Sequence, residues 1–140
     1  MKELSPVLKE FTEKQELLRL AYTDNRGYPR VVPLWYVVID GEHHIGTGAG
    51  SAKMRAINRD PRVGWVIDGG ENGSYKGVSM YGRAEQVTGA EGRAKIHRAL
   101  GMKYFGAADH PKFKEIYGEP DDQETIYLRL KGEDGISWEY

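Results

Sequence analysis

The sequence predicts a mainly β protein of the α+β class, in which antiparallel strands form a barrel or a sandwich. Segments rich in Val, Ile, Trp and Tyr recur along the 140 residues, and short turns containing Asp, Asn or Gly separate them. The 18 glycines are spread along the chain and do not gather in one linker. Strands that follow one another through tight turns pair antiparallel, whereas parallel strands need long crossovers, so a parallel sheet is not expected.

Composition limits the chemistry that is available. The length predicts a single domain over residues 1–140. The absence of cysteine from the sequence excludes disulfides, thiolate nucleophiles and cysteine metal sites. The 20 basic and 21 acidic residues nearly balance, so we expect no attraction to nucleic acid or to an anionic membrane. The sequence has no signal core and no apolar run near the ~18 residues that a membrane span requires, which predicts a cytoplasmic protein.

The first half of the chain predicts three strands between two short helices. Ser5 before Pro6 is typical of a helix N-terminus, because Ser caps the first N–H groups and proline fits the first turn. Ser51 is expected to cap the second helix, which Asp60 before Pro61 ends. The strands, rich in β-branched and aromatic residues, cover residues 17–23, 29–39 and 43–47.

The second half predicts three or four more strands and two helices. Thr88 and Glu91 have the spacing of a capping box, which predicts the start of a helix. A short helix is expected over residues 110–117, and Gly118 stops it. The strands cover residues 62–68, 76–87, 125–130 and, as a possible last strand, 136–140. The pattern therefore contains six or seven strands.

Residues 46–53, with the sequence GTGAGSAK, predict an anion site. A glycine-rich turn that enters a helix leaves backbone N–H groups unpaired beside the positive end of the helix dipole. Thr47, Ser51 and Lys53 add hydroxyl donors and a cation. The alternative interpretation is that the glycines only permit a tight turn and that Lys53 is solvated. The spacing does not match a P-loop, so a nucleoside triphosphate loop is not predicted.

Pro33 lies inside the segment that predicts the second strand, where it cannot donate to a sheet. A flat ligand lying on the strand, a bulge or a barrel seam would each explain it. Alternation along the strand places two sets of side chains on opposite faces, Arg30, Val32, Leu34 and Tyr36 on one and Val31, Pro33, Trp35 and Val37 on the other. One face is expected to be core and the other a surface for a partner or a ligand.

The sequence contains no pattern of catalytic or metal-binding side chains. His43 and His44 are adjacent on a predicted strand, so they point to opposite faces and cannot hold one metal together. No Ser/His/Asp arrangement is present that would predict a nucleophile. Trp138 is expected in the core, with an aromatic wall for a ligand as the alternative.

Five segments in order resemble the pyridoxamine 5′-phosphate oxidase-like split-barrel family, and together they lie within roughly residues 17–88. They are residues 20–23 (LAYT), 27–36 (GYPRVVPLWY), 47–53 (TGAGSAK), 57–63 (INRDPRV) and 80–84 (MYGRA). The resemblance implies a six-stranded antiparallel split β-barrel with peripheral helices. It also implies a homodimer with two flavin sites formed across the interface.

The resemblance assigns roles to individual residues. The strand that lies along the flavin ring in the family corresponds to Arg30, Val31, Val32, Pro33, Leu34 and Trp35. The phosphate-binding segment corresponds to Thr47, Ser51 and Lys53, with Arg55 or Asn58 of the following helix as further phosphate and ribityl contacts. Trp138 corresponds to the residue of the tail that reaches the partner's site.

The resemblance implies FMN as the cofactor, with the deazaflavin F420 or haem as alternatives that the family also binds. The expected function is an FMN-dependent oxidoreductase that transfers hydride to or from a small substrate, with Tyr36 or Tyr81 lining the substrate side. The alternatives are an F420-dependent reductase, a non-catalytic flavin or haem binder, and an interaction protein with an empty barrel. Oxidation of pyridoxamine phosphate is not expected, because the Arg and His of that substrate motif are missing near Trp138.

Overall fold

The computed structural model describes residues 3–140, and its fold is mainly β with four helices. The strands are β1 (Leu18–Thr23), β2 (Pro29–Leu34), β3 (Val37–Ile39), β4 (Glu42–Gly48), β5 (Arg62–Glu71), β6 (Ser74–Val87) and β7 (Thr125–Glu139). The helices are α1 (Pro6–Lys14), α2 (Ala52–Arg59), α3 (Ala90–Phe105) and α4 (Pro111–Tyr117). Within residues 3–140, no helix combines the length and the apolar character that crossing a bilayer requires.

The strands form one antiparallel sheet in the order β2-β1-β5-β6-β7-β4-β3, which is not closed. Its two edge strands, β2 and β3, are consecutive in the chain and only Trp35 and Tyr36 separate them. Because consecutive Cα atoms are about 3.8 Å apart, Leu34 and Val37 lie within about 11 Å of each other. The sheet therefore curls until its edges approach at this corner without pairing.

The prediction of one strand over residues 29–39, and with it the six-strand count, was wrong. The chain breaks at Trp35 and Tyr36, so the segment contributes both edges of a seven-stranded sheet. Pro33 pairs in register with Arg19 of β1. An edge strand tolerates proline because one of its sides makes no ladder hydrogen bonds, so Pro33 lies on an open edge of the sheet.

β7 is one long strand where the sequence predicted two. Its pairing with β6 runs from Tyr127 to Glu139, with a register shift at Tyr81 and Gly82. A Cβ atom on Gly82 would overlap the carbonyl oxygen of Lys131, so glycine is required where the strands approach at this irregularity. The Gly-containing stretch that separated the two predicted strands is therefore part of a bulged strand.

Two of the three predicted helix caps are confirmed. The Oγ atoms of Ser5 and Ser51 accept hydrogen bonds from the N–H groups of Leu8 and Met54, each at 3.1 Å. The capping box at Thr88 was wrong. Helix α3 begins at Ala90 and its N-cap is a glycine, which provides no side-chain hydrogen bond.

Two clusters of apolar side chains form the core. The interior of the curled sheet holds the larger cluster, which includes Leu20, Ile45, Trp65 and Leu128, with residues of α2 packed against it. The second cluster lies between the opposite surface of β3, β4 and β7 and the helices α3 and α4, and its members include Val37, Leu100, Phe113 and Tyr127. These helices cover only one part of the outer surface of the sheet.

The remaining outer surface of the sheet is exposed, and we call it the uncovered face. It belongs to β2, β1, β5, β6 and the second half of β7. Two rows of paired residues define it, Val31–Ala21–Gly64–Tyr81 and Pro33–Arg19–Val66–Ser79–Ile136. Val31, Tyr81 and Ile136 are 65%, 55% and 67% exposed. Apolar side chains this exposed on one sheet surface are typical of an interaction site.

Candidate cofactor site

The turn between β4 and α2 is fixed by backbone hydrogen bonds. The N–H of Ala49 donates to the carbonyl of Glu124 at 2.8 Å, and the N–H of Ser51 donates to the carbonyl of Gly48 at 3.2 Å. Helix α2 then begins at Ala52. The first N–H groups of a helix have no acceptor within the helix, so this turn presents donors at the positive end of the α2 dipole.

Lys53 places an unneutralised ammonium group at this helix N-terminus. Its side chain is half-buried, and it makes no hydrogen bond or ion pair with any residue of the described range 3–140. Burial lowers the pKa of the Lys53 ammonium from its usual value, because desolvation disfavours the charged form. An anion bound here would reverse that effect.

The neighbouring hydroxyl groups have capacity for a ligand. Thr47 is buried, and its hydroxyl makes no hydrogen bond within residues 3–140. The Oγ of Ser51 accepts the capping bond from Met54, which leaves its own hydrogen free to donate. Thr47 thus lies at the end of β4, Ser51 caps α2, and Lys53 is in the first turn of that helix.

The other two predicted contacts on α2 differ from each other. Nη1 of Arg55 donates to the carbonyl of Gly50 at 2.7 Å, so Arg55 braces the glycine-rich turn. Asn58 is exposed at the far end of the helix. Sequence reasoning missed Arg59, whose Nη2 donates to the carbonyl of Asp24 at 2.6 Å and so ties α2 to the β1–β2 turn. The signal was present, because Arg59 lies inside the INRDPRV segment.

Strand β2 confirms the predicted alternation. Val32 and Leu34 pack against the interior cluster, while Val31 and Pro33 face outward on the uncovered face. Arg30 is exposed and lies 3.6 Å from the carboxylate of Asp24. The pKa of the Asp24 carboxyl is lowered, first by the hydrogen bond from the N–H of Tyr28 and also by the Arg30 charge. Arg30 therefore also contacts the β1–β2 turn through Asp24.

Trp35 and Tyr36 lie apart from this surface. The Trp35 ring stacks on Tyr104 with centroids 4.5 Å apart, within the second cluster. Tyr36 is fully buried, and its hydroxyl donates to the carbonyl of Thr12. Tyr36 therefore cannot line a substrate surface, which corrects that expectation, whereas Tyr81 is exposed on the uncovered face.

Trp138 lies on the uncovered face, so the expectation of a core position was wrong. Its indole packs over Gly77, where a Cβ atom would overlap it. β7 begins at Thr125, which pairs with Gly48 just before α2. Trp138 follows 13 residues later in the same strand, a path of roughly 40 Å at ~3.3 Å per residue. Trp138 and Lys53 of the same chain are therefore too far apart to contact one ligand.

The four histidines lie outside the candidate cofactor site at β2 and the start of α2. None of the four lies on β2, α2 or the uncovered face of the described residues. His43 and His44 point to opposite sides of β4 and both are buried, as is His97. Nδ1 of His44 donates to the carbonyl of Glu42, and Nε2 of His97 donates to the carbonyl of Gly118. The surface offers hydroxyl, ammonium and backbone donors, which suit a phosphate better than a metal.

The sequence matches the model of one protein family. The sequence profile described as pyridoxamine 5′-phosphate oxidase matches residues 4–139. No curated protein gave a significant match.

Solved structures share the fold over nearly the whole chain. A conserved hypothetical protein from Mycobacterium tuberculosis is 26% identical with a TM-score of 0.83, over 98% of this chain and 86% of that one. The heme storage protein HutZ from Vibrio cholerae is 19% identical with a TM-score of 0.75, over 99% and 95%. An FAD binding protein from Mycobacterium smegmatis is 18% identical with a TM-score of 0.69, over 98% of both chains. At these two lower identities the likeness concerns the fold alone.

Proposed function

The chain belongs to the pyridoxamine 5′-phosphate oxidase family, and on that premise we propose that it is an FMN-binding oxidoreductase. It works as a homodimer and transfers hydride to or from a small substrate. The observation that carries this proposal is the half-buried Lys53 ammonium at the start of α2, which has no anionic partner in residues 3–140.

The phosphate of FMN fits the donors at this turn. A phosphate monoester offers several acceptor oxygens and a charge close to −2, of which the ammonium of Lys53 would neutralise about half. The hydroxyls of Thr47 and Ser51 and the first N–H groups of α2 would donate to the same oxygens. Arg55 holds the turn in shape through the Gly50 carbonyl, so its role is to position the donors.

The flavin ring would lie beside β2. Val31 and Pro33 present an apolar surface on the exposed edge of the sheet, next to the small residues Ala21 and Gly64. A flat ring packs well against such a surface and loses water from one side. The partner subunit's Trp138 would provide the aromatic contact on the other side of the site, since the Trp138 of the same chain is too far away.

The uncovered face supports a homodimer. Val31, Tyr81 and Ile136 are exposed at its margins. Between them, the small residues Ala21, Gly64 and Ser79 lie beside Arg19, which is paired with Asp68, and a second copy would pack on this surface. Pairing through this face would bury these side chains. It would also bring two sites together, each completed by the other chain.

The chain's own residues bind and orient in this account. FMN, when bound, supplies the redox chemistry through its ring. Lys53, Thr47 and Ser51 fix the position of the phosphate, and Val31 and Pro33 exclude water from the ring. Tyr81 lies in the same row as Val31, so in the dimer it would border the flavin site and contact a substrate there. No side chain is required as a general acid or base for this function.

Titration of the apoprotein with four cofactors tests the proposal. FMN, FAD, F420 and haemin are added separately, with flavin fluorescence or absorbance as the readout, and NADH, NADPH and reduced F420 are then offered as donors. We expect FMN to bind at one per chain and to be reduced. Tighter binding of haemin, with a Soret shift, would replace the proposal by haem binding, and tighter F420 binding by a deazaflavin reductase.

A further inference from the structure

A second cavity lies away from the proposed flavin site. It has a volume of about 480 Å³ and is enclosed by the N-terminal segment with α1, the β3–β4 turn and the bulged part of β6 and β7. None of its lining residues belongs to β2 or α2. The volume falls within the usual range for small-molecule sites. Its apolar wall is formed by Leu4, Val38 and Met80.

His43 is the buried polar side chain in the wall of this cavity. It is 6% exposed, and the indole Nε1 of Trp65 donates to its Nδ1 at 2.9 Å. Because Nδ1 accepts this bond, the proton of the neutral ring is on Nε2. Burial lowers the pKa of His43 to about 4, and His44 and Lys103 contribute in the same direction, so the ring is neutral at pH 7.

The Nε2–H group of His43 has no hydrogen-bond partner in residues 3–140. It is not sealed within the protein either. In that range, the buried side-chain polar atoms without a partner are the Tyr127 hydroxyl and Nε of Arg129. Since His43 lines the cavity and Nε2 is not fully buried, this N–H is the donor that the ring can offer to an occupant. Buried donors are rarely left unpaired, which indicates a ligand or water as the partner.

The charges at the rim define the kind of ligand. Glu3, Glu13, Glu133 and Asp134 line the cavity. Lys9 is the one cation among the described lining residues and is paired with Glu3 at 3.4 Å, while Glu133 is paired with Arg83 at 3.5 Å. Carboxylates at the rim repel an anionic ligand. A donor at the wall gives no attraction to an ammonium group. The arrangement therefore favours an uncharged molecule with an apolar body and one hydrogen-bond acceptor.

We propose that this cavity is a second ligand site, which binds a small uncharged aromatic carbonyl compound. The aromatic body packs against Leu4, Val38 and Met80, and the carbonyl oxygen accepts a hydrogen bond from Nε2–H of His43. The site is independent of FMN, because it shares no residue with the proposed phosphate and ring contacts. It would remain if the flavin proposal failed.

Titration of the purified protein with acetophenone tests the site, with the ¹H–¹⁵N signal of the Trp65 indole as the reporter. This indole N–H is bonded to His43 and lies outside the proposed flavin site. We expect acetophenone to shift the signal saturably. Ethylbenzene lacks the acceptor and should bind about three- to tenfold more weakly, the usual effect of one neutral hydrogen bond. Benzoate should bind more weakly still because of the acidic rim.

Three variants decide the outcome. His43→Gln keeps both a donor and an acceptor and should retain the preference for acetophenone over ethylbenzene, whereas His43→Leu should abolish it. Leu4→Trp narrows the cavity at its apolar wall, leaves His43 in the sequence and should weaken the binding of both probes, which keeps the test valid if His43→Leu does not fold. The proposal is overturned if acetophenone and ethylbenzene bind equally to the natural protein, or if Leu4→Trp leaves binding unchanged.

Discussion

The indole ring of Trp138 packs over Gly77 on the uncovered face, because a glycine there leaves room that any Cβ atom would remove. This contact fixes the ring at one end of β7, while Thr125 at the other end pairs with Gly48, just before the turn that leads to Lys53 in α2. The two groups assigned to one flavin site are therefore far apart in a single chain. A site that uses both needs two chains.

Mixing two defective variants tests this arrangement. In a heterodimer of Lys53→Ala and Trp138→Ala chains, one site lacks both groups and the other is intact. After random exchange between equal amounts of the two homodimers, about one quarter of all sites should therefore regain full FMN affinity. The measurement is an FMN titration before and after exchange by mild denaturation and refolding.

The exchange experiment has its own control. Refolding of each variant alone must restore no high-affinity site. If the mixture also restores none, although both chains fold and exchange, then Trp138 does not reach the partner's site and the cross-chain assignment fails.

Replacing Lys53 by Ala should weaken FMN binding about tenfold or more, since charge-assisted hydrogen bonds to phosphate are among the stronger ones. The thermal midpoint of the apoprotein should stay the same or rise slightly, because a half-buried ammonium without a partner is removed. Fluorescence titration and a melting curve give both quantities. Lys112→Ala, an exposed lysine on α4, is the matched control. Equal FMN affinities of the two variants would refute the phosphate assignment.

Ile136→Asp should make the protein monomeric, because it places a carboxylate on the margin of the uncovered face, which the proposed homodimer would bury. Light scattering after size exclusion measures the mass. Ile116→Asp is the control, since Ile116 is 57% exposed on α4, away from that face. The Ile136 variant should also lose FMN affinity. If both variants remain dimeric, the interface lies elsewhere.

The lowered pKa of His43 predicts that the free energy of unfolding decreases in mild acid. Its pKa is about 4 in the folded protein and about 6.5 when unfolded, so between these values the unfolded chain takes up a proton that the folded chain does not. The free energy of unfolding should therefore fall as the pH drops from 6.5, by about 2 kcal/mol at pH 5. Urea unfolding at several pH values measures it. His43→Gln should flatten the profile by this amount, and an unchanged slope would show that the ring is not held neutral.

Local chemistry predicted much of the fold. The Ser5 and Ser51 caps and the alternation along β2 depend on neighbours in sequence, and both are confirmed. The break at Trp35 and Tyr36 was missed because β-propensity continues through it. The chain turns there since Trp35 finds its stacking partner, Tyr104, on a distant helix. Such a long-range contact leaves no periodic signal.

In the candidate site, too, features set by neighbouring residues were predicted and features set by long-range contacts were missed. The glycine-rich turn and Lys53 are contiguous, so the sequence predicted their association. Trp138 was expected in the core because it is large and apolar, but its position depends on the pairing of β7 with Gly77. The bracing role of Arg59 depends on the β1–β2 turn, 35 residues earlier in the chain. Neither relationship follows from spacing.

The most direct test of the central claim is the visible absorption spectrum of the purified protein, with the chromophore released by heat and identified by mass. A flavin spectrum that releases FMN is predicted, either from the protein as isolated or after incubation with FMN and gel filtration. A Soret band, released F420, or no chromophore retained after incubation with FMN would contradict it.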